Sequence, residues 1–444
     1  MTDAAGAGPF GRALMLAAPT SGSGKTTLTL SLLAALRQQG LRVRAAKCGP
    51  DYIDPKFHEA ASGSASVNLD PFAMAPAVLQ ALANGQACGA DLLLVEAAMG
   101  LFDGANDGSS SAADVAAALG IPVVLVVDCG RQAQSVAALV RGFRDHRADV
   151  NVAAVLLNRV GSPRHEDMLR KALAPLGMRV LGAMPRRDAL ALPERHLGLV
   201  QAEENADLAG FIDGAARLTA EAVDLSALAA LATAIRCAPA DVPLLLPPPG
   251  QRIAVARDVA FSFAYPHVLA GWQRAGAEIL PFSPLANAPV PEDADAVYLP
   301  GGYPELHAGV LASNRRFFAS LQQAAGRGVP VFGECGGYMV LGRGIVDAVG
   351  DRHEMADLLP LETSFAARRL HLGYRRLTAL VDLPFKGLQR GTHLTGHEFH
   401  YASIQQEGSA ARLFGATDAQ GEPLADMGLV QGSVLGSFAH LIAT

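Results

Sequence analysis

A glycine-rich loop near the start of the chain has the residue types needed to hold a nucleotide. The run APTSGSGKTT occupies residues 18–27, between an apolar predicted strand and a predicted helix. Glycines permit a tight turn whose backbone N–H groups cradle phosphates, and the following helix adds its positive dipole end. Lys25 can reach the outer phosphates, and the Thr26 hydroxyl suits Mg²⁺. Pro19 replaces the first glycine of the strict GxxxxGK[ST] pattern. The predicted ATP-binding residues of the loop are Ser21, Gly22, Ser23, Gly24, Lys25, Thr26 and Thr27.

Acidic side chains follow other predicted strands of the same half. Asp51 follows the second predicted strand, and Glu96 ends the third. The carboxyl ends of parallel strands share one edge of a sheet, where carboxylates can hold Mg²⁺ directly or through water. The predicted metal ligands are therefore Thr26, Asp51 and Glu96. Asp54 and Asp103 fit this role or that of turn and helix-cap aspartates equally well.

Two more polar residues end strands beside the loop. Asn158 can contact a nucleotide base, and we include it among the predicted ATP-binding residues, although an ordinary capping asparagine fits equally well. Lys47 can converge with Lys25 on phosphate or on a carboxylate substrate. An ordinary surface lysine with a snorkelling side chain is the alternative.

A cysteine in the second half lies in the context of a nucleophile. A predicted strand runs into GECGG at residues 333–337, which is a G-x-C-x-G pattern. Small neighbours let the chain turn sharply between strand and helix, and the helix N-terminus favours a thiolate. Cys335 is therefore the predicted nucleophile, while the other four cysteines are expected to be structural. A thiol nucleophile needs a base, and His440 near the chain end is the predicted partner.

Two further segments are rich in polar chemistry. LPGGYPE follows a predicted strand at 299–305, and we predict an oxyanion hole made by the amides of Gly302 and Gly336. In GHEFHY, at 396–401, strand alternation places Glu398 and His400 on the same side. Two histidines at this spacing are poor evidence for a metal, so a structural or substrate contact is expected.

The elements around these residues form two α/β halves. Continuous apolar strands alternate with helices in the first half, which predicts a parallel sheet covered on both faces. The segment APADVPLLLPPPGQ has linker chemistry because its prolines cannot continue a helix. A second strand–helix alternation follows. The predicted organisation is a first domain at 12–237, a linker at 238–251 and a second domain at 252–444.

Composition excludes several classes of function. The 444 residues are 50% hydrophobic and only 6% aromatic, with a net charge of −6. Neither nucleic-acid binding nor attachment to anionic lipid is expected from this balance. The longest apolar region is shorter than a membrane-spanning helix, and the N-terminus lacks a signal-peptide pattern. Five scattered cysteines favour free thiols over a disulfide framework, which predicts a cytoplasmic protein.

The combined motifs resemble a known pairing of domains. The Cys335 elbow, LPGGYPE and His440 look like a class I glutamine amidotransferase, whose domain is flavodoxin-like. The first half is similar to P-loop-type amidoligases related to dethiobiotin synthetase. Their order, with KCGPDYIDP, MGLFDG, PERHLGL, FGECGGYMVLG and GHEFHY, resembles the a,c-diamide synthases of corrinoid biosynthesis from about Arg12 onward.

This resemblance implies a glutamine-hydrolysing carbon–nitrogen ligase of cobalamin biosynthesis. ATP with Mg²⁺ would activate the a and c acetates of cobyrinate or hydrogenobyrinate as acyl phosphates. Cys335 would release ammonia from glutamine, which would pass between the domains, and free ammonia could replace glutamine. The implied partners are small molecules, and a homodimer is compatible with the resemblance. The candidate substrate contacts are Lys47, Tyr52, Arg195 and His196.

One departure from the resemblance concerns the triad, and several alternatives stay open. The usual glutamate two residues after the histidine is Ile442 here, so we expect a Cys–His dyad or an orienting group from elsewhere, with Glu398 as one option. The same chemistry fits a cobyric acid synthase or a nickel-tetrapyrrole diamide synthase. An alternative of another class is a partitioning-type P-loop switch ATPase with a fused inert domain.

Overall fold

The computed structural model describes residues 10–187, 190, 194–195, 198–236 and 243–444. The chain divides into two compact units between residues 243 and 244. Both units are α/β, as the sequence predicts. Part of the predicted linker lies outside the described residues. Leu245 and Leu246 belong to the second unit, where the Leu246 carbonyl accepts from Trp272 Nε1 at 3.1 Å. The boundaries at 237 and 252 remain predictions.

The first unit is built on a parallel sheet with the strand order β3-β2-β4-β1-β5-β6-β7. Its central strands contain the buried apolar runs 13–17 in β1, 92–95 in β4 and 123–127 in β5, as expected of strands covered on both faces. A short strand, β10, pairs antiparallel with the start of β1. The strands are β1 (Phe10–Ala17), β2 (Val43–Cys48), β3 (Val67–Leu69), β4 (Leu92–Glu96), β5 (Val123–Asp128), β6 (Val152–Val160), β7 (Arg179–Pro185), β8 (Glu194–Arg195), β9 (Gly198–Leu199) and β10 (Thr233–Arg236).

Helices connect these strands in the first unit. They are α1 (Lys25–Gln38), α2 (Asp54–Ser62), α3 (Pro76–Ala87), α4 (Ala112–Leu119), α5 (Val136–Asp145), α6 (Pro163–Leu173), α7 (Leu208–Ala222) and α8 (Leu225–Leu231). The register places Leu16 and Lys47 beside Glu96, on the two sides of β4. The ends of β1, β2 and β4 therefore meet at one edge of the sheet, where the glycine-rich loop begins.

The second unit has a mixed sheet with the order β12-β11-β13-β14-β23-β22-β21-β18-β19-β24 and a smaller sheet with the order β16-β15-β17-β20. The pairings from β12 to β23 are parallel. The strands are β11 (Arg252–Ala256), β12 (Glu278–Phe282), β13 (Ala296–Leu299), β14 (Val331–Glu334), β15 (Gly344–Val346), β16 (Arg352–Glu354), β17 (Leu361–Ser364), β18 (His371–Ala379), β19 (His393–His400), β20 (Ser403–Glu407), β21 (Ala411–Thr417), β22 (Pro423–Gln431), β23 (Val434–Ser437) and β24 (His440–Ala443).

Helices in this unit are short, and they lie between the parallel strands. They are α9 (Pro266–Arg274), α10 (Ala308–Ser313), α11 (Arg315–Gly326) and α12 (Gly336–Leu341). Leu299 pairs with Gly333, and Glu334 pairs with Ser437. The register thus brings the ends of β13, β14 and β23 together, just before the segments that carry the predicted thiol, amides and histidine.

Two general expectations concerned membrane-spanning helices and free cysteines. Every helix described is too short or too polar to span a bilayer. Cys48, Cys129 and Cys335 are free thiols, as expected. Cys88 is disulfide-bonded, so the expectation of free thiols throughout is wrong at that position. Spacing along the sequence could not show this bond, because a disulfide depends on the distance between two residues in the fold.

Candidate active sites

The loop between β1 and α1 has the backbone of a phosphate-binding turn. Gly22 and Gly24 adopt left-handed conformations, with φ of 75° and 84°. A Cβ built on Gly24 would lie 2.4 Å from Asn158 Nδ2, so a larger residue would be both strained and obstructed. Lys25 folds over the loop, where its ammonium donates to the Thr20 carbonyl at 3.3 Å and to the Met99 carbonyl. Burial, and then the charge of Lys47, lowers the pKa of Lys25 to about 8.

Oxygen atoms from three elements converge beside this loop. Thr26 Oγ1 donates to Glu96 Oε1 at 2.7 Å and lies 3.1 Å from Asp54 Oδ2. The Lys47 ammonium contacts the same two carboxylates and lies 2.9 Å from Glu96 Oε1. A hydroxyl and two carboxylates are the hard ligands that Mg²⁺ prefers. Mg²⁺ bound here would share both carboxylates with the Lys47 ammonium.

The structure gives Asp51 and Asp54 different positions. Asp51 Oδ1 accepts from the backbone N–H groups of Ile53 and Asp54 at 2.9 and 3.0 Å, at the start of α2. Its other oxygen lies 3.7 Å from Lys47 Nζ. Asp54, which the sequence left open as a turn residue, is the carboxylate that meets Thr26. Metal binding by Asp51 remains a prediction, and Asp54 becomes the alternative ligand.

His58, which was not among the predicted site residues, is fully buried against these carboxylates. Its Nε2 lies 2.7 Å from Glu96 Oε2, and its Nδ1 lies 3.3 Å from Ser66 Oγ. His58 follows Asp54 by four positions on α2, so both side chains share one helix face. That spacing, D-x-x-x-H at the start of a helix, was the available signal.

The pKa values of Glu96 and Asp54 are shifted in opposite directions. Burial raises the pKa of Glu96, but the charge of Lys47 and the contact with His58 outweigh it and leave that pKa well below its ordinary value. Burial, with the negative charge of Asp51, raises the pKa of Asp54 to about 7. Glu96 is therefore the firmly ionised member of the pair.

The other predicted residues of this unit lie around the loop. Asn158 Nδ2 donates to the Ser23 carbonyl at 2.8 Å, which ties β6 to the phosphate loop. Tyr52 is buried in the segment between β2 and α2. Arg195 lies in β8 with its side chain outside the described part, and His196 lies outside the described residues. Contact of any of these with a ligand remains a prediction.

Cys335 is the turning point between β14 and α12. Its φ is 48°, a left-handed value that is unusual for a residue with a side chain. Burial, with Glu305 adding to it, raises the pKa of the Cys335 thiol above its usual range. The resting residue is therefore a neutral thiol, which needs a base to become a nucleophile.

Gly301 lies close to both Cys335 and His440. A Cβ built on it would lie 3.2 Å from Cys335 Cβ and 3.0 Å from His440 Nε2. A Cβ on Gly336 would lie 3.0 Å from the Gly302 amide nitrogen. The structure thus brings together the predicted nucleophile, the predicted base and the two predicted oxyanion residues.

The carboxylate beside His440 is not the one considered from the sequence. His440 Nδ1 lies 3.8 Å from Glu334 Oε2. Glu398 instead binds Arg375 Nη2 at 2.7 Å and His400 Nε2 at 2.9 Å. Its charge is thus shared with Arg375 and His400 and still raises the pKa of His440, so a role of Glu398 towards His440 remains a prediction.

A cluster of polar groups on β18 and β19 adjoins this site. Donor atoms of His371, Glu398 and His400 lie within 4.8 Å of one another. Glu398 and His400 share one side of β19, as the alternation predicts, since their side chains are hydrogen-bonded. The Arg375 guanidinium already neutralises Glu398, so the cluster is better described as an ion-paired network than as a cation site.

These two units define a class of protein. A parallel α/β unit with a phosphate loop precedes an α/β unit with a Cys–His pair on a strand–helix turn. Residues 14–200 match the CobQ/CobB/MinD/ParA nucleotide-binding domain family. Residues 252–444 match the CobB/CobQ-like glutamine amidotransferase domain family. The class is a nucleotide-binding enzyme fused to a glutamine amidotransferase.

Relatives extend this similarity over nearly the whole chain. Hydrogenobyrinate a,c-diamide synthase of Sinorhizobium sp is 56% identical, over 97% of this chain and 98% of that protein. The Brucella suis protein of the same name has the same identity and coverage. The Rhodobacter capsulatus protein of that name is 55% identical over 98% of this chain and 99% of its own length. The chain belongs to the a,c-diamide synthase family.

Proposed function

We propose that this chain amidates the a and c acetate carboxylates of hydrogenobyrinate in cobalamin biosynthesis, using ATP and glutamine. The observation that carries the proposal is the 56% identity to enzymes of that name over 97% of the chain, which includes both units. The names of these relatives favour hydrogenobyrinate over cobyrinate. A partitioning-type switch ATPase would leave the arrangement of Cys335 and His440 without a role.

The first unit would activate the carboxylate. The amides of the phosphate loop and Lys25 would hold the phosphates of ATP, with Asn158 keeping the loop in place. Thr26, Asp54 and Glu96 would hold Mg²⁺, which when bound supplies positive charge against the phosphate oxygens. A carboxylate oxygen of the substrate attacks the γ-phosphorus and ADP leaves. The resulting acyl phosphate is needed because a free carboxylate is a poor electrophile.

The second unit would supply ammonia. The Cys335 thiol passes its proton to His440 Nε2 and attacks the side-chain amide carbon of glutamine. The amides of Gly302 and Gly336 stabilise the oxyanion. His440 returns the proton to the departing nitrogen, ammonia leaves, and water then hydrolyses the glutamyl thioester. Ammonia attacks the acyl phosphate, releases phosphate and forms the amide.

The test compares glutamine and ammonium as nitrogen donors for the wild type and for one variant. Wild type and Cys335→Ala are incubated with ATP, Mg²⁺ and either glutamine or ammonium. Hydrogenobyrinic and cobyrinic acids are offered separately, and mass spectrometry counts acid-to-amide conversions. We expect two conversions on hydrogenobyrinic acid. Cys335→Ala should lose the glutamine-dependent reaction but keep the ammonia-dependent one.

A matched control removes another buried thiol. Burial raises the pKa of Cys129 to about 12, as expected for a structural cysteine, and Cys129→Ala should retain both reactions. Full glutamine-dependent turnover in Cys335→Ala would contradict the role of the second unit. No conversion of either acid by the wild type would contradict the substrate class.

A further inference from the structure

The carboxylate missing from the sequence motif is replaced by one from another strand. Two positions after His440, where a triad glutamate is expected, the chain has Ile442. We propose that Glu334, the residue before the nucleophile, is the positioning carboxylate of the Cys335–His440 pair. This inference rests on the proposed glutaminase activity and adds a residue to it.

Two hydrogen bonds hold the Glu334 carboxylate next to His440. Its Oε1 accepts from the Leu441 backbone N–H at 2.9 Å, and its Oε2 accepts from the Tyr298 hydroxyl at 2.6 Å. β24 is the edge strand of the sheet and pairs with β19. The Glu334 carboxylate accepts a hydrogen bond from a backbone N–H of this edge strand. The carboxylate therefore holds the backbone next to His440 while its Oε2 lies 3.8 Å from His440 Nδ1.

The two nitrogens of His440 face different partners. Gly301, which is close to Cys335, lies at the Cε1–Nε2 edge of the ring, and Glu334 Oε2 lies 3.8 Å from Nδ1. When Nε2 takes the thiol proton, the ring becomes an imidazolium beside the carboxylate. Glu334 itself stays ionised and transfers no proton, so its contribution is orientation and charge stabilisation.

Burial makes such a carboxylate necessary. His440 is fully buried, and burial, followed by the charges of His397 and His400, lowers the pKa of His440 to about 3. A neutral imidazole is a competent acceptor, but the cation it forms is disfavoured in this environment. Glu398 also faces His440 from β19, yet Arg375 and His400 hold its charge. Glu398 still raises the pKa of His440, as does a hydrogen bond to the Phe263 backbone. Glu334 differs from Glu398 because it is bonded to neutral donors, so its charge is not shared with a cation where it lies 3.8 Å from His440 Nδ1.

A purely structural role for Glu334 is the alternative, because it joins β14 to β24. Glu334→Gln separates the two roles. The amide oxygen can still accept from Leu441, and the NH₂ group can donate to Tyr298, so the connection is retained while the negative charge is lost. Glu362→Gln is the control, since it makes the same change in a carboxylate of this unit that pairs with Arg352 on β16 and has no contact with His440.

Glutamine hydrolysis is measured for each full-length variant, alongside ammonia-dependent amidation. We expect Glu334→Gln to lower kcat for glutamine about 10- to 100-fold with KM unchanged. This is smaller than the loss of about 10⁴ for a directly bonded triad carboxylate, because the separation here is 3.8 Å. Glu362→Gln should keep the wild-type kcat. An unchanged kcat in Glu334→Gln would overturn the inference.

The pH profile provides a readout that a structural connection would not alter. Burial raises the pKa of Glu334 to about 7, against the hydrogen bonds from Tyr298 and Leu441. The carboxylate helps only when ionised, so wild-type kcat should rise as pH passes through about 7. That rise should be absent in Glu334→Gln.

Tyr298→Phe keeps the charge but removes a hydrogen bond that favours the ionised form, so the rise should move to higher pH. An identical profile in all three proteins would contradict the inference. Glutamine hydrolysis by the wild type without amidation of any corrinoid would contradict the proposed substrate instead, and would leave this test intact.

Discussion

At the residue scale, the nucleotide unit depends on a buried lysine whose charge is balanced by its neighbours. Burial by itself lowers the pKa of Lys47, but Asp54 and then Glu96 outweigh it and raise that pKa well above its ordinary value. Removing one partner of a buried ion pair typically costs about 3–5 kcal/mol of stability. The sequence placed Lys47 at a strand end beside acidic residues. It could not show that these carboxylates hold the ammonium and thereby limit its availability to an anionic substrate.

The choice between Asp54 and Asp51 as a metal ligand gives a prediction at this scale. Asp54→Asn removes a carboxylate that meets Thr26 and should lower ATP-dependent amidation about 100-fold or more. It should also raise the Mg²⁺ concentration needed for half-maximal rate, because fewer anionic ligands remain. The measurement is amidation rate against Mg²⁺ concentration at fixed ATP, with ammonia as the nitrogen donor.

The matched control is Asp51→Asn. Its amide oxygen can still accept from Ile53 and Asp54, so the start of α2 should be preserved. We expect nearly unchanged Mg²⁺ dependence. A larger shift for Asp51→Asn than for Asp54→Asn would restore the assignment made from the sequence.

At the scale of elements, the predictable part of the fold was the part with regular apolar patterning. The parallel strands β1, β2, β4, β5, β6, β11, β13 and β14 follow from short apolar runs, and the loops after them contain most of the site residues. Apart from the strand considered for GHEFHY, the antiparallel half of the second sheet was not predicted. β22 is largely exposed from Pro423 to Asp426, and β18 mixes exposed and half-buried residues, so neither shows a continuous apolar run.

Contacts between elements that are distant in the sequence could not be predicted either. His58 was missed although its spacing from Asp54 was visible, because nothing in the sequence shows that α2 faces Glu96. Glu334 meets the Leu441 amide across 107 positions of sequence. Both residues depend on tertiary packing, which a local pattern does not encode.

The strand–helix turn gives a prediction at the element scale. A Cβ on Gly337 would lie 1.9 Å from the Leu299 carbonyl oxygen, which is backbone and cannot move aside locally. Gly337→Ala should therefore separate β13 from α12, displace Cys335 and destabilise the second unit by about 3 kcal/mol. Denaturant unfolding and glutamine hydrolysis measure the two effects.

Gly326→Ala is the control, because a Cβ there meets nothing within 4 Å at the end of α11. Alanine is the better helix former, so this change should leave stability the same or raise it by up to about 1 kcal/mol. Equal destabilisation by both substitutions would show that close packing at Gly337 is not the cause.

At the scale of the whole molecule, the net charge of −6 gives no general attraction for a polycarboxylate. Recognition of a polycarboxylate must therefore come from local groups within each unit.

Each unit also has its own central sheet and its own buried core, with Leu14, Leu94 and Val124 in one, and Val297, Val331 and Leu341 in the other. Nucleotide chemistry and glutamine chemistry are thus supported by separate cores.

This organisation predicts two unfolding transitions that respond to different ligands. Mg²⁺–ATP at about 100 times its dissociation constant should stabilise the first unit by about 2.7 kcal/mol and leave the second nearly unchanged. A chloroketone analogue of glutamine, which alkylates Cys335, should shift only the other transition. Differential scanning calorimetry of the full-length protein measures both. Lys25→Ala should abolish the ATP shift, and Cys335→Ala the alkylation shift, each without affecting the other. A single transition that either ligand moves would contradict separate cores, because stabilisation of one unit would then be transmitted to the whole chain.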